Sequence, residues 1–146
     1  MQSRSPLPNT LPTYEGREVE AQEQSFRREG EYWSVCYEGR TCRLRESKGL
    51  LYLAYVLRCP GKEIASWELI RLTHRDAGER IGAAPAPEII ERARVAVTKN
   101  IKAALGRIRE HHPTLADHLD ATVRRGYPCV YRPDPRVPTK WDVTEQ

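Results

Sequence analysis

No apolar run in the 146 residues approaches the roughly 20 positions that a bilayer-spanning helix needs, so no transmembrane segment is expected. The first residues carry no apolar h-region, which predicts no secretory signal and a cytoplasmic location. No CxxC pair occurs among Cys36, Cys42, Cys59 and Cys129, and no histidine lies at ligand spacing beside two of them. No metal is therefore expected. The cysteines read as reduced thiols used as small apolar residues, although Cys36 and Cys42 can face each other across a hairpin. The phosphate-cradling GxxxxGK[ST] loop is missing: Gly61 and Lys62 are followed by Glu63, and Val56 stands where the first glycine belongs. GxSxG, HExxH and GxGxxG are missing too, so the sequence predicts no enzyme, no catalytic residue and no cofactor.

Apolar residues make up only 39% of the chain, and the deficit sits at its two ends. Pro6, Pro8 and Pro12 open a stretch that turns Glu/Gln-rich and has no apolar period, so residues 1–24 read as a flexible tail. Pro133, Pro135 and Pro138 mark residues 134–146 as a second tail, in which Trp141 is the exception, because a lone tryptophan often docks. Residues 25–133 remain as one domain with a modest core. The net charge of +4 says less than its distribution. From Arg92 to Arg109 there are six basic residues and no acidic one, and from Ala121 to Pro133 three arginines and no acid. Glu15 to Glu31, by contrast, holds six glutamates and three arginines. The basic part is what a phosphate backbone attracts.

Tyr32 to Tyr37 alternates and is aromatic-rich, Glu38-Gly39 is a turn signal, and Arg40 to Leu44 follows, which predicts a β-hairpin. Phe26 to Arg28 reads as a short strand before it. Ser47 can cap a helix whose apolar face holds Leu50, Leu51, Leu53, Ala54, Val56 and Leu57, and Cys59-Pro-Gly-Lys62 stops it. After Ile64, Ser66 is the expected N-cap of a short second helix with Trp67, Leu69, Ile70 and Leu72. His74 to Pro87 reads as a loop. A third helix is expected from about Pro87 to His111, with Ile90, Ala93, Val97, Ile101, Ala104, Leu105 and Ile108 forming one stripe. At about 100° per residue, Arg92, Val95, Ala96, Lys99, Lys102 and Gly106 fall on the opposite side. Pro113 ends this helix, Leu115, Ala116 and Leu119 form a small patch in a connector, and a last hairpin runs from Thr122 to Tyr131 around Arg125-Gly126.

This order predicts an α+β chain, and a basic helix followed by an Arg-Gly-Tyr hairpin is the layout of a winged helix-turn-helix with three helices, an N-terminal hairpin and a C-terminal wing. Gly39 to Leu53, Leu57-Arg-Cys-Pro-Gly-Lys62, Val97 to Ile108 and Thr122-Val-Arg-Arg-Gly-Tyr127 are the matching pieces. Through them, residues 30–132 resemble the effector domain of response regulators of the OmpR/PhoB type. The chain is similar, too, to winged-helix regions of large bacterial ATPase-type regulators. The chain departs from that pattern at Ala103, Ala104 and Gly106, where the family's helix is usually richer in arginine, and at Pro128 inside the wing. No receiver context accompanies it, so phosphorylation control does not carry over.

The resemblance implies a transcriptional regulator that reads duplex DNA with its third helix and wing. Its expected contact residues are Arg92, Arg94, Val95, Thr98, Lys99, Lys102 and Arg109 on the helix, and Arg124 and Arg125 in the wing. Arginine can read guanine bidentately, while lysine more often meets phosphate. Asn100 can read adenine but lies on the helix flank. The plainer reading of the same residues is a solvated charged face and an exposed turn. RNA polymerase or another regulator is an allowed second partner, no membrane partner is expected, and no dimerisation helix is evident. The alternative function is a protein-interaction module on the same fold, which the Glu-rich N-terminal segment suits, as do Trp67 and Trp141 if exposed.

Overall fold

The structure, a computed structural model, describes residues 22–73, 85–125, 128–137 and 139–144. These described residues form an α+β fold with four helices and two sheets. Strands β1 (Gln22–Glu29), β2 (Tyr32–Tyr37) and β3 (Arg40–Arg45) form an antiparallel meander. The turn expected at Glu38-Gly39 is there: both residues have positive φ, 53° and 77°, as a two-residue hairpin turn of the twist-matched type requires. Glu38 is not glycine, and its backbone N–H is held by the buried side chain of Gln24 on β1, 2.8 Å away. The period-two alternation buries Trp33, Val35 and Tyr37. It sets Cys36 opposite Thr41 and Cys42 opposite Val35, so the two cysteines lie on opposite sides of the sheet and remain free. The short strand expected at Phe26 to Arg28 is the longer β1, whose Phe26 is completely buried, and with the expected hairpin it makes a three-stranded meander.

The larger correction is at the C-terminus. Residues 134–146, which the sequence marks as a tail, supply strand β6 (Thr139–Thr144), which pairs in parallel with β1 and completes the order β3-β2-β1-β6. Between β3 and β6 in the chain lie two short strands, β4 (Val123–Arg124) and β5 (Val130–Tyr131). The cause is aromatic. Trp141 stacks on Tyr37 with ring centroids 5.9 Å apart and meets Phe26 edge-on at 6.0 Å. Its indole N–H donates to the Tyr131 hydroxyl at 3.0 Å.

Helix α1 (Lys48–Arg58) starts at Ser47, whose hydroxyl accepts from Leu50 N, and it buries Leu50, Leu53, Val56 and Leu57. Helix α2 (Ser66–Thr73) buries Ser66 and Leu69. Most of the loop expected after it, residues 74–84, lies outside the described residues. Helix α3 (Pro87–His111) buries Ala93, Val97, Ile101, Ala104, Leu105 and Ile108, so the stripe expected from the sequence is the core face. The sequence predicts three helices; a fourth, α4 (Pro113–Thr122), forms where it predicts a connector. Pro113 does end α3, but proline is equally suited to the first turn of a new helix. His112 joins the two. Its backbone N–H closes α3 on Ile108 O, and its Nδ1 accepts from Leu115 N to open α4. Its Nε2 lies 3.0 Å from Tyr37 O and therefore donates. Leu115, Ala116 and Leu119 are then fully buried.

The second sheet is short: β4 (Val123–Arg124) pairs with β5 (Val130–Tyr131). Thr122, expected as the first residue of this hairpin, ends α4 instead, and Gly126-Tyr127 at its turn lie outside the described residues. The connector between α1 and α2 lies alongside, with Ile64 and Cys129 exchanging both backbone hydrogen bonds at 2.9 and 2.8 Å.

The two sheets meet through one polar relay inside the aromatic cluster. The Tyr131 hydroxyl accepts from Trp141 and lies 2.8 Å from His118 Nε2, so the three side chains form one hydrogen-bonded chain. Burial lowers the pKa of His118 below the ordinary histidine value, against the opposing pull of the Glu38 carboxylate. Burial pushes the Tyr131 hydroxyl up to about 12. The folded chain thus resists charging of either group. For His118 the contribution is complete above the ordinary histidine pKa and is lost as pH falls through the lowered, folded value. Urea midpoints of the wild type should fall between about pH 7 and 5 more steeply than those of His118→Asn. Parallel curves for the two proteins would show that His118 is not the group being charged.

Candidate nucleic-acid interface

The core stripe of α3 fixes which of its residues reach solvent. Arg92, Val95, Lys99, Lys102, Ala103 and Gly106 are exposed, and Val95 keeps 49% of its surface. Ile89, at 48%, extends the same side toward the start of the helix. Among the described residues, the side chains of Arg92, Lys99, Lys102 and Arg124 engage in no ion pair or hydrogen bond. Free cations and an exposed valine along one helix face offer both phosphate contact and apolar contact with a thymine methyl.

The other expected contact residues stand differently. Arg94 is half-buried and forks onto Glu91 one turn earlier, with Nε 3.2 Å from Oε1. Thr98 turns its hydroxyl into the protein, where that oxygen is buried with no partner. Arg109 pairs with Asp117 at 2.7 Å, and Arg125 with Asp120 at 3.1 Å. Both acids come from α4, so their proximity to the basic residues follows from a helix that the sequence pattern does not announce. Asn100 donates its side-chain amide to Ala96 O at 2.9 Å and does not present it outward.

Fold contacts bring two separate parts of the basic set together. Lys102 and Arg109 of α3 and Arg125 beyond β4 line one crevice, with Leu105, Gly106 and Asp120. A different surface, the outer face of the first sheet, carries Arg27, Ser34 and Arg43 in register across three strands. Arg43 lies over the Tyr32 ring at 4.9 Å. Of the tryptophans named for a protein interface, Trp141 is engaged in the aromatic cluster, while Trp67 is half-buried with the Arg71 guanidinium 5.0 Å over its ring. No group of three histidines, cysteines or acids among the described residues is placed to hold a metal ion. No helix among them is long and apolar enough to cross a membrane.

Comparison with known proteins finds no matching family model, no matching curated protein and no matching solved structure.

Proposed function

We propose that this chain is a cytoplasmic transcription regulator that binds duplex DNA as a winged helix-turn-helix, with α3 as the recognition helix and β4–β5 as the wing. The observation that carries this reading is the exposed side of α3, where Arg92, Lys99 and Lys102 stand unpaired beside Val95 and no acid occurs from Arg92 to Arg109. The order α1, bridging segment, α2, α3, hairpin supports it. In this arrangement α4 is an insertion between recognition helix and wing. α3 lies in the major groove, its lysines meet phosphates, Arg92 and Val95 reach base edges, and Arg124 enters the adjoining groove or holds its phosphates. RNA polymerase or another regulator is the second partner such a protein would take.

The test is retention of a random duplex pool by the purified full chain at two salt concentrations, followed by sequencing of the bound fraction. A recurring base pattern is expected, with a log–log salt slope near roughly −5 for about six phosphate contacts. Retention that is flat with salt, or none at low salt, contradicts the reading and turns attention to a protein partner.

A further inference from the structure

The crevice between the C-terminal half of α3, α4 and the root of the hairpin has a volume of about 260 Å³. Its polar lining is three cations, Lys102, Arg109 and Arg125, and one acid, Asp120. The cations differ in what holds them. Arg109 is engaged by Asp117 at 2.7 Å, and Lys102 makes no side-chain bond among the described residues. Arg125 donates through Nη2 to Asp120, while its Nη1 is buried with no acceptor. An orphaned guanidinium N–H is costly out of water, and three cations around two carboxylates leave the site one negative charge short. Gly106 adds to the space, since a Cβ there would meet nothing within 4 Å. Lys102 belongs both to this lining and to the exposed side of α3, so the crevice opens onto that side.

We propose that this crevice seats one backbone phosphate of the duplex, with the Arg125 guanidinium, swung off Asp120, and Lys102 as its donors. The inference rests on the DNA-binding reading and adds to it a particular contact and a competitor. Asp120 holds half of the Arg125 fork in the free protein and opposes the incoming phosphate, so it limits affinity. A planar guanidinium with one arm on an exposed carboxylate and the other buried and unpartnered is suited to this exchange, because its donors are fixed in a fork and move together.

Fluorescence anisotropy of a mixed-sequence duplex tests it, with the full chain titrated between about 50 and 200 mM salt. Arg125→Gln is expected to weaken binding about tenfold at low salt and to flatten the log–log slope by about 1, equally for all duplexes. Asp120→Asn is expected to strengthen binding about two- to fivefold. If the wild type binds and both variants match it in affinity and slope, the phosphate seat is wrong while DNA binding stands. If the wild type binds no duplex, the underlying reading fails, and this inference with it. Calorimetric titration with inorganic phosphate forms the second arm. Binding of free phosphate that disappears in Arg125→Gln, with duplex affinity unchanged, would make the crevice a small-anion site and overturn the proposal. Should Arg125→Gln lose its helical circular dichroism, Asp120→Asn alone decides, and unchanged affinity in that variant overturns the seat.

Discussion

Gly49→Ala should lower the stability of this protein by about 3 kcal/mol, because it places a methyl group inside the backbone of a neighbouring helix. A Cβ at position 49 would stand 2.1 Å from Asn100 O and 2.8 Å from both Asn100 C and Ala104 Cβ. Two of those three atoms belong to the main chain of α3, which cannot swing aside as the end of a long side chain can. Two effects oppose each other. Alanine favours a helix over glycine by up to about 1 kcal/mol, which would stabilise α1. The overlap acts the other way, and relieving it requires α1 to lift from α3 along a contact that buries Leu50, Leu53, Val97 and Ile101. The overlap wins, since lifting two packed helices sacrifices several buried side chains to accommodate one methyl. Urea denaturation followed by circular dichroism measures the change. A midpoint equal to or above that of the wild type would mean that the two helices do not cross this closely.

The second large effect concerns binding. Replacing Arg92, Lys99 and Lys102 together with alanine should weaken duplex binding roughly a thousandfold at low salt, about tenfold for each cation removed from a phosphate or base. The salt slope should flatten by about 3. Stability should hardly change, within about 0.5 kcal/mol, because all three side chains are exposed and make no bond that folding needs. This separation is what makes the variant informative. A folded triple variant with wild-type affinity would mean that another surface holds the DNA.

The parts legible in the sequence are those set by local chemistry. Glu38-Gly39 between alternating runs specifies the β2–β3 hairpin, and the three-and-four spacing from Ala93 to Ile108 specifies the buried face of α3. The other parts depend on distant residues. Strand β6 has only two apolar residues, Trp141 and Val143, on its inner side, and it follows a proline-rich stretch. Its partner β1 lies more than a hundred residues earlier in a parallel register, which no local pattern signals. Helix α4 is hidden because Pro113 stops one helix and starts another, and the double cap from His112 exists only once Tyr37 O is in place beside it.

The candidate site divides in the same way. Exposure of Arg92, Lys99 and Lys102 follows from the helical period. The engagement of Arg109 and Arg125 does not, since Asp117 and Asp120 sit eight and five residues away, at separations where residues of a single helix do not pair. The buried hydroxyl of Thr98 likewise depends on packing against the helix flank rather than on the sequence period. Charge counting along the chain therefore overstates the free basic surface. It counts arginines whose partners arrive from α4.

The most direct measurement is amide chemical-shift mapping of the isotope-labelled full chain on addition of a mixed-sequence duplex at low salt. The expected shifts gather on Arg92, Val95, Lys99 and Lys102 of α3 and on Arg124 and Arg125, with Arg27, Ser34 and Arg43 on the outer sheet face unmoved. Shifts centred on that sheet face, or none with duplex in excess, would contradict DNA recognition by α3 and the C-terminal hairpin.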